Sequence, residues 1–456
     1  MKATAIFLIA LGFAQFQMQG QWQPIEEMGY GRSGHAALSY VNSDGITRLI
    51  VTGGYDGNSG LASAEIFEES GETWDNLPDM NSARLDHTAD VIGDQRMIII
   101  GGWDGNATNW STTEILEDTF GSLEFSVGPE MSVSRSYHST AMYQPNYLLV
   151  MGGYDGFVNL SSCEKLNTTT MEFEAMASMN YGRSSFTVTR LSNGIQFLVT
   201  GGFNPDFGFQ MNQCEIYDAM NNIWTPVASL NFARDNHAAI LLPDGRVLVT
   251  GGRFFNGDLN LFEGMPECEI YDPQTNEWTV TQSTNGKHSY HQLFMLDGQV
   301  LLPGGTDHSG VEVDITYSNT EFFDPENETW SDGGISVPGR FQYAGGATAN
   351  GIVVCGGVDN NADGGEIYYF ATGVSEYASN TNLIYPTAVV AGNVVHLNDP
   401  NSEMESIYIY NASGKLVCSL GKGINQFIPD FAPGVYSLVI SYSTSAPSEH
   451  TKLIVK

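Results

Sequence analysis

Aromatic and acidic residues stand side by side behind pairs of glycines along this 456-residue chain. Tyr55-Asp56, Trp103-Asp104 and Tyr154-Asp155 follow three successive Gly-Gly doublets; Phe203 follows a fourth, Arg253-Phe254 a fifth, and Asp307-His308 lies one residue behind a sixth. Aromatic faces of this kind stack on sugar rings while carboxylates accept hydroxyl hydrogen bonds. Tyr, Trp and Arg also dominate binding energy at protein interfaces. These eleven residues are therefore the expected ligand-binding set, for a protein or a glycan. The local alternative is that Asp-Gly only builds a turn, the aspartate bonding its own backbone, while the rings pack between structural units.

A second recurrent set is cationic. Arg32, Arg84, Arg135, Arg183, Arg234, Lys287 and Arg340 each stand ahead of a doublet, and Glu65, Glu114, Glu164, Glu215, Glu269, Glu321 and Glu366 follow one. A basic channel mouth for an anionic ligand is one reading. The expected one is structural: cations and glutamates occur in equal number, and the planar guanidinium can bridge a carboxylate and backbone carbonyls.

The elements that must position these groups follow from the doublets themselves. Gly53-Gly54, Gly101-Gly102, Gly152-Gly153, Gly201-Gly202, Gly251-Gly252, Gly304-Gly305 and Gly356-Gly357 are separated by 48, 51, 49, 50, 53 and 52 residues, so one unit is repeated seven times. Each doublet closes a short apolar run (LIVT, MIII, LLVM, FLVT, VLVT, VLLP, IVVC) that reads as a buried strand. Each glutamate opens a further strand, and a large aromatic follows at Trp74, Phe125, Phe173, Trp224, Trp278 and Trp330. The seventh unit lacks this aromatic strand, and an unpaired copy carrying Trp22 precedes the first. A closed circle is implied, completed by the N-terminal strand. Residues just behind the doublets then fall on loops leaving one face of a rigid scaffold, where recognition groups concentrate.

With its glycine doublet and downstream Trp, the repeat resembles the kelch repeat over residues 21–370. The resemblance implies an all-β chain with a seven-bladed kelch-type β-propeller, four antiparallel strands per blade. Some kelch-like propellers resemble galactose oxidase, a copper enzyme with an adjacent Tyr-His pair, and this chain has Tyr137-His138 and Tyr290-His291. Tyr290 and His291 are the catalytic alternative to a binding module, within a carbohydrate-active propeller enzyme, galactose-oxidase-like or sialic-acid-epimerase-like. Against it, His35, His87 and His237 share the same repeat position, so the histidine reads as part of the repeat. No catalytic residue, cofactor or metal is expected.

Residues 1–20, with Lys2 ahead of AIFLIALGFA, read as a signal peptide, too short to span a bilayer. No transmembrane segment is expected elsewhere. Residues 371–382 read as a linker, and residues 383–456 form short alternating strands with turn signals. Their pieces IYPTAVV from Ile384, IYIYNASGKLV from Ile407, FAPGVYSLVI from Phe431 and the terminal TKLIVK resemble the C-terminal sorting domain of the type IX secretion system of Bacteroidota-type bacteria. That resemblance implies a small C-terminal β-sandwich addressed to the secretion machinery, and a secreted or outer-membrane-associated protein of a Gram-negative cell.

Eighteen basic against 52 acidic residues give a net charge of -34, which repels phosphate backbones and disfavours nucleic acid. Cys163, Cys214 and Cys268 occupy one equivalent position in three successive units. Neighbouring sheets pack about 10 Å apart, beyond disulfide reach, so no bridge is expected among them. No CxxC or HxxxH spacing offers a zinc site. A monomer is expected.

Overall fold

The computed structural model describes residues 22–369 apart from 42–46, 70, 94–95, 120–121, 145, 259, 297, 308–314, 336–338, 349–350 and 359–362, together with strands between residues 384 and 455. The expected signal peptide (1–20), the linker (371–382) and His308 lie outside the described residues. The chain divides into two compact units, Met1–Thr372 and Gly373–Lys456.

Seven four-stranded antiparallel sheets make up the first unit. Blade 1 runs Ala36–Val41, Thr47–Thr52, Ala64–Glu68 and Thr73–Leu77. In blade 7 the chain supplies only Ala344–Ala347, Gly351–Cys355 and Gly365–Tyr369. Its fourth strand is Trp22–Pro24, with Trp22 opposite Tyr368 and Pro24 opposite Glu366. The expected seven-bladed propeller, zipped shut by its first strand, is what the chain forms. Helix is confined, among the described residues, to one 3-10 turn, Pro205–Phe207.

The apolar runs do not alternate with polar residues because both their faces are covered. In blade 1, Leu49 and Val51 pack with Val353, Cys355 and Ile367 of blade 7, whereas Ile50 joins Met97, Ile99 and Leu116 of blade 2. The core is thus a series of layers between blades. On the outer strands Trp74, Trp224, Trp278 and Trp330 face Phe67, Tyr217, Tyr271 and Phe323 across the ladder. The indole N–H of Trp224, Trp278 and Trp330 donates to Ala177, Ala228 and Gln282 carbonyls of the preceding blade.

The repeated cations are buried clasps. Each of Arg32, Arg84, Arg135, Arg183, Arg234 and Arg340 reaches its own blade's glutamate at 2.5–3.1 Å. Nη1 donates to the first carbonyl of the doublet at 2.6–2.7 Å. The glutamates accept further backbone N–H groups, as Glu215 does from Asn180 and Tyr181. Blade 6 departs from the expected register. There His288, and not Lys287, lies between Gly304 O (2.6 Å) and Glu321 Oε1 (2.9 Å), while Lys287 Nζ faces Glu263 and Asp307 at 3.9 and 3.7 Å.

Two rings of backbone hydrogen bonds join the blades. The N–H of the second glycine of each doublet donates to the carbonyl of the next blade's clasp residue, an arginine or, in blade 6, His288, from Gly54 to Arg84 round to Gly357 and Arg32. The first glycine takes φ near +60°, and a Cβ on Gly53 would lie 2.2 Å from Arg84 O, so only glycine fits. The second ring runs through Gly34, Asp86, Tyr137, Ser185, Asn236, Tyr290 and Gln342, all left-handed, each N–H donating to the carbonyl of the previous member. It closes where Gly34 N meets Gln342 O at 3.1 Å.

The residue after each ring position packs against the preceding blade: His35, His87, His138, Phe186, His237, His291 and Tyr343. Nε2 of His87, His138, His237 and His291 meets Thr52, Thr88, Thr200 and Thr250 at 2.7–3.0 Å. Burial and neighbouring arginines push His87 down to about 3 and the other four histidines well below their ordinary value. Cys163, Cys214 and Cys268 are free thiols, as their spacing requires, and Cys355 is free as well.

In the second unit the described strands form a five-stranded sheet in the order Ala388–Val389, Glu449–Val455, Gly434–Tyr442, Met404–Asn411, Leu416–Gly421. A three-stranded sheet joins Ile384–Tyr385, Val395–Leu397 and Gln426–Phe427.

Replacing Arg183 by alanine strands the buried Glu215 carboxylate and the carbonyls of Gly201 and Gln213. Urea unfolding of R183A is expected to show a loss of about 3–5 kcal/mol. A depressed histidine takes up its proton in the unfolded chain first, so its stabilising effect is full above the unfolded value near 6.5 and is lost as pH falls below it. Because blade 4 carries Phe186 at this position, H138F keeps the packing; its melting temperature is expected to fall less than the wild type's between pH 6.5 and 4.

Candidate functional site

The left-handed ring places one side chain per blade around the axis, and it separates two spaces. On one side the channel, ≈ 530 Å³, is lined by His35, His87, His138, His237, His291 and the innermost strands. On the other, where the post-doublet loops emerge, lies a cavity of ≈ 490 Å³. Ring residues Tyr137, Ser185 and Tyr290 form its floor, and Tyr154, Phe203 and Arg253, each following a doublet, form its wall with Asn159 and Asn204. Phe157 and Val158 stand at the rim, 90% and 56% exposed.

Arg253 is the fixed cation of this cavity. Its Nε donates to Asp235 Oδ1 at 2.8 Å, and the buried Asp235 also accepts Gln210 Nε2 and Asn236 Nδ2 at 3.2 Å. The guanidinium lies over the Phe262 ring at 4.4 Å and the Tyr290 ring at 5.3 Å, a cation–π seat. The seat exists because the chain after the fifth doublet folds back as a ribbon, Arg253–Asn256 against Leu261–Gly264. A shorter ribbon, Phe203–Asn204 with Phe209–Gln210, precedes it in blade 4, and Phe209 packs on Phe255 across the two. Behind the sixth doublet, too, the chain pairs with itself, Thr306–Asp307 against Ile315–Thr316.

Asp86, also on the ring, accepts Trp103 Nε1 at 3.0 Å. Enclosure pushes its carboxyl up to about 6 against the hydrogen bonds from Trp103 and Tyr137, and burial beside Asp86 pushes the Tyr137 phenol up.

The expected site residues separate into groups. Tyr154, Phe203 and Arg253 come together in the cavity. Tyr55 and Trp103 occupy the same strand-bridging position in blades 1 and 2, with Trp103 turned onto Asp86. Phe254 lines a separate groove of ≈ 410 Å³ with Phe232, Phe255 and Met265. Asp56, Asp104 and Asp155 accept backbone N–H groups two and three residues ahead, at 2.7–2.9 Å, and so hold their own turns. Asp307 is buried, 3.7 Å from Lys287 Nζ. Asn159 and Asn204 and the rim residue Phe157 were not expected; the ring position stands two residues after each of the six arginines and after His288.

Tyr290 and His291 face opposite spaces. Tyr290 lines the cavity, while His291 belongs to the channel and meets Thr250. No group of three or more His, Cys, Asp or Glu suited to a metal occurs among the described residues.

The Kelch motif matches residues 47–81. The zebrafish Kelch-like protein 15 (Danio rerio) is 32% identical over 114 residues, 25% of this chain and 18% of that protein. The mouse Kelch-like protein 35 (Mus musculus) is 26% identical over 210 residues, 45% of this chain and 33% of that protein. The chain thus spans a third or less of these relatives' length. Among solved structures, a fungal alcohol oxidase of the AA5 family in complex with copper superposes with a TM-score of 0.64 at 15% identity, covering 96% of this chain and all of that one. YjhT superposes at 0.52 and 12% identity, over 68% of this chain and 99% of that one. At such identities the likeness is one of fold. The chain carries a kelch motif within a seven-bladed propeller.

Lowering the pH through about 6 protonates Asp86 and weakens its bond from the Trp103 indole. Tryptophan fluorescence is expected to titrate there, and the transition should vanish in D86N and in W103F.

Proposed function

We propose that the propeller is a recognition module whose ligand, a protein or a glycan, seats on the cavity at the channel mouth. The observation that carries this reading is the cavity's make-up: three tyrosines, two phenylalanines and a stacked arginine around a floor fixed by seven inter-blade hydrogen bonds. Rigid aromatics and arginine give contact area at small entropic cost, which suits binding. Exposed Phe157, Val158 and Phe207 widen the apolar surface beyond the cavity and favour a protein over a sugar. Kelch relatives and the propeller scaffold accord with that choice.

The proposal extends to delivery. The N-terminal apolar stretch would act as a signal peptide, and residues 383–456 as a β-sandwich sorting domain read by the type IX secretion machinery, giving a secreted or cell-surface protein of a Gram-negative bacterium. The sequence pieces at Ile384, Ile407 and Phe431 support this.

Protein and glycan arrays probed with wild type and with Y154A/F203A test the first part. Binding of at least one array component is expected, weakened tenfold or more in the variant at unchanged melting temperature. Equal binding by both would remove the cavity from the site.

A further inference from the structure

Beside the cavity, the groove that Phe254 lines has a chemistry of its own. The ribbons of blades 4 and 5 are tied together by Phe209 packed on Phe255 and by the Phe255 N–H, which donates to Gln210 Oε1 at 2.9 Å. With the segment Asn231–Ala233 they enclose ≈ 410 Å³, lined by Phe232, Phe254, Phe255 and Met265 together with Glu267. Phe232 is 36% exposed, and Phe254 and Phe255 are half-buried, so aromatic surface stays open to a ligand.

Glu267 is the residue that the fold does not account for. Its carbonyl accepts Arg234 Nη1 at 2.9 Å, a place held in the other arginine blades by Ser63, Thr112, Ser162, Gln213 and Gly364. In blade 6 Asn319 holds it, accepting the Gly304 N–H as Glu267 accepts that of Gly251. All six are neutral, so the position asks for no charge. Glu267 nonetheless brings a half-buried carboxylate whose side chain makes no hydrogen bond or ion pair among the described residues. The cations of blades 5 and 6 are spent elsewhere, Arg234 on Glu269, Arg253 on Asp235, and Lys287 toward Glu263 and Asp307. Arg234 feels the Glu267 charge through space without bonding it.

Aromatic faces and a lone carboxylate in one groove are complementary to a cation on an apolar stem: the stem covers the rings, the ring faces attract the cation, and the carboxylate bonds it. A chain of net charge -34 draws cations to such a point, and it repels the phosphate that accompanies the ammonium of a choline headgroup. Resting on the reading of the loop face as a protein-recognition surface, we propose that this groove is a second subsite, taking a basic side chain of the protein ligand with its stem along Phe232 and Phe254 and its charge at Glu267. Lysine and arginine share that chemistry.

NMR titration of the full-length protein tests it, with Nα-acetyl-lysinamide, Nα-acetyl-argininamide, their neutral norleucine and citrulline analogues, and choline as probes. One base is expected to bind about tenfold more tightly than its neutral analogue, and which one names the side chain. E267Q gives blade 5 the residue that blade 4 carries as Gln213, so it should keep the melting temperature and abolish the preference. F232L keeps an apolar wall without a ring face, and should weaken the base about threefold while leaving its neutral analogue unchanged. Y154A/F203A should change none of these affinities, which separates the groove from the cavity. Neutral analogues binding as well as bases, a preference surviving E267Q or lost in Y154A/F203A, or binding of neither base would overturn the proposal. Choline binding more tightly than both bases would overturn the choice of a protein side chain.

Discussion

The buried cation–glutamate clasp is the constraint on which this propeller depends. A guanidinium sealed from water is tolerable only when it is paired with an opposite charge and well hydrogen-bonded. Here one acceptor is the blade's own glutamate and another the first carbonyl of the glycine doublet. The clasp holds the doublet in a left-handed course, which only glycine follows without strain, and that course aims the second glycine's N–H at the next blade. Electrostatics within a blade thereby sets hydrogen bonding between blades.

What the sequence makes legible tracks how tightly each position is constrained. Glycine doublets and glutamates recur in all seven units and the outer position keeps a large aromatic, so their spacing alone reveals seven blades and the closing strand at Trp22. Blade 6 is misread by composition: Lys287 has the right charge, but His288 has the right distance to Tyr290 and His291, as Arg234 has to Asn236 and His237. The ring positions vary freely from Gly34 to Tyr290 because the backbone, not the side chain, does the bonding. Their shared geometry therefore leaves no compositional trace. Nor do Tyr55, Trp103 and Tyr154 differ by type in any way that tells which one faces the cavity; the hairpins of blades 4 and 5 decide it by crowding the mouth to one side.

That division of labour explains how a repetitive scaffold acquires one asymmetric site. Six blades share the arginine clasp and five the interblade histidine, whereas the ring and the post-doublet loops are free to differ. Tyr137, Ser185 and Tyr290 face one space, and His138, Phe186 and His291 next to them face the other. Variation is thus confined to one end of the molecule and repetition to the inside.

The closing strand carries a consequence for how the molecule comes into being. Trp22 bonds Thr320, 298 residues away along the chain, and its ladder partner Tyr368 lies farther still. Contacts of such separation form late, since the intervening loop must lose its freedom first. Until then Gly365–Tyr369 is a bare sheet edge beside two finished strands, a template for the wrong chain as much as for its own beginning. The last event of assembly is therefore a contest between one's own N-terminus and a neighbour's, decided by local concentration, and domain-swapped pairs are the natural failure of this architecture.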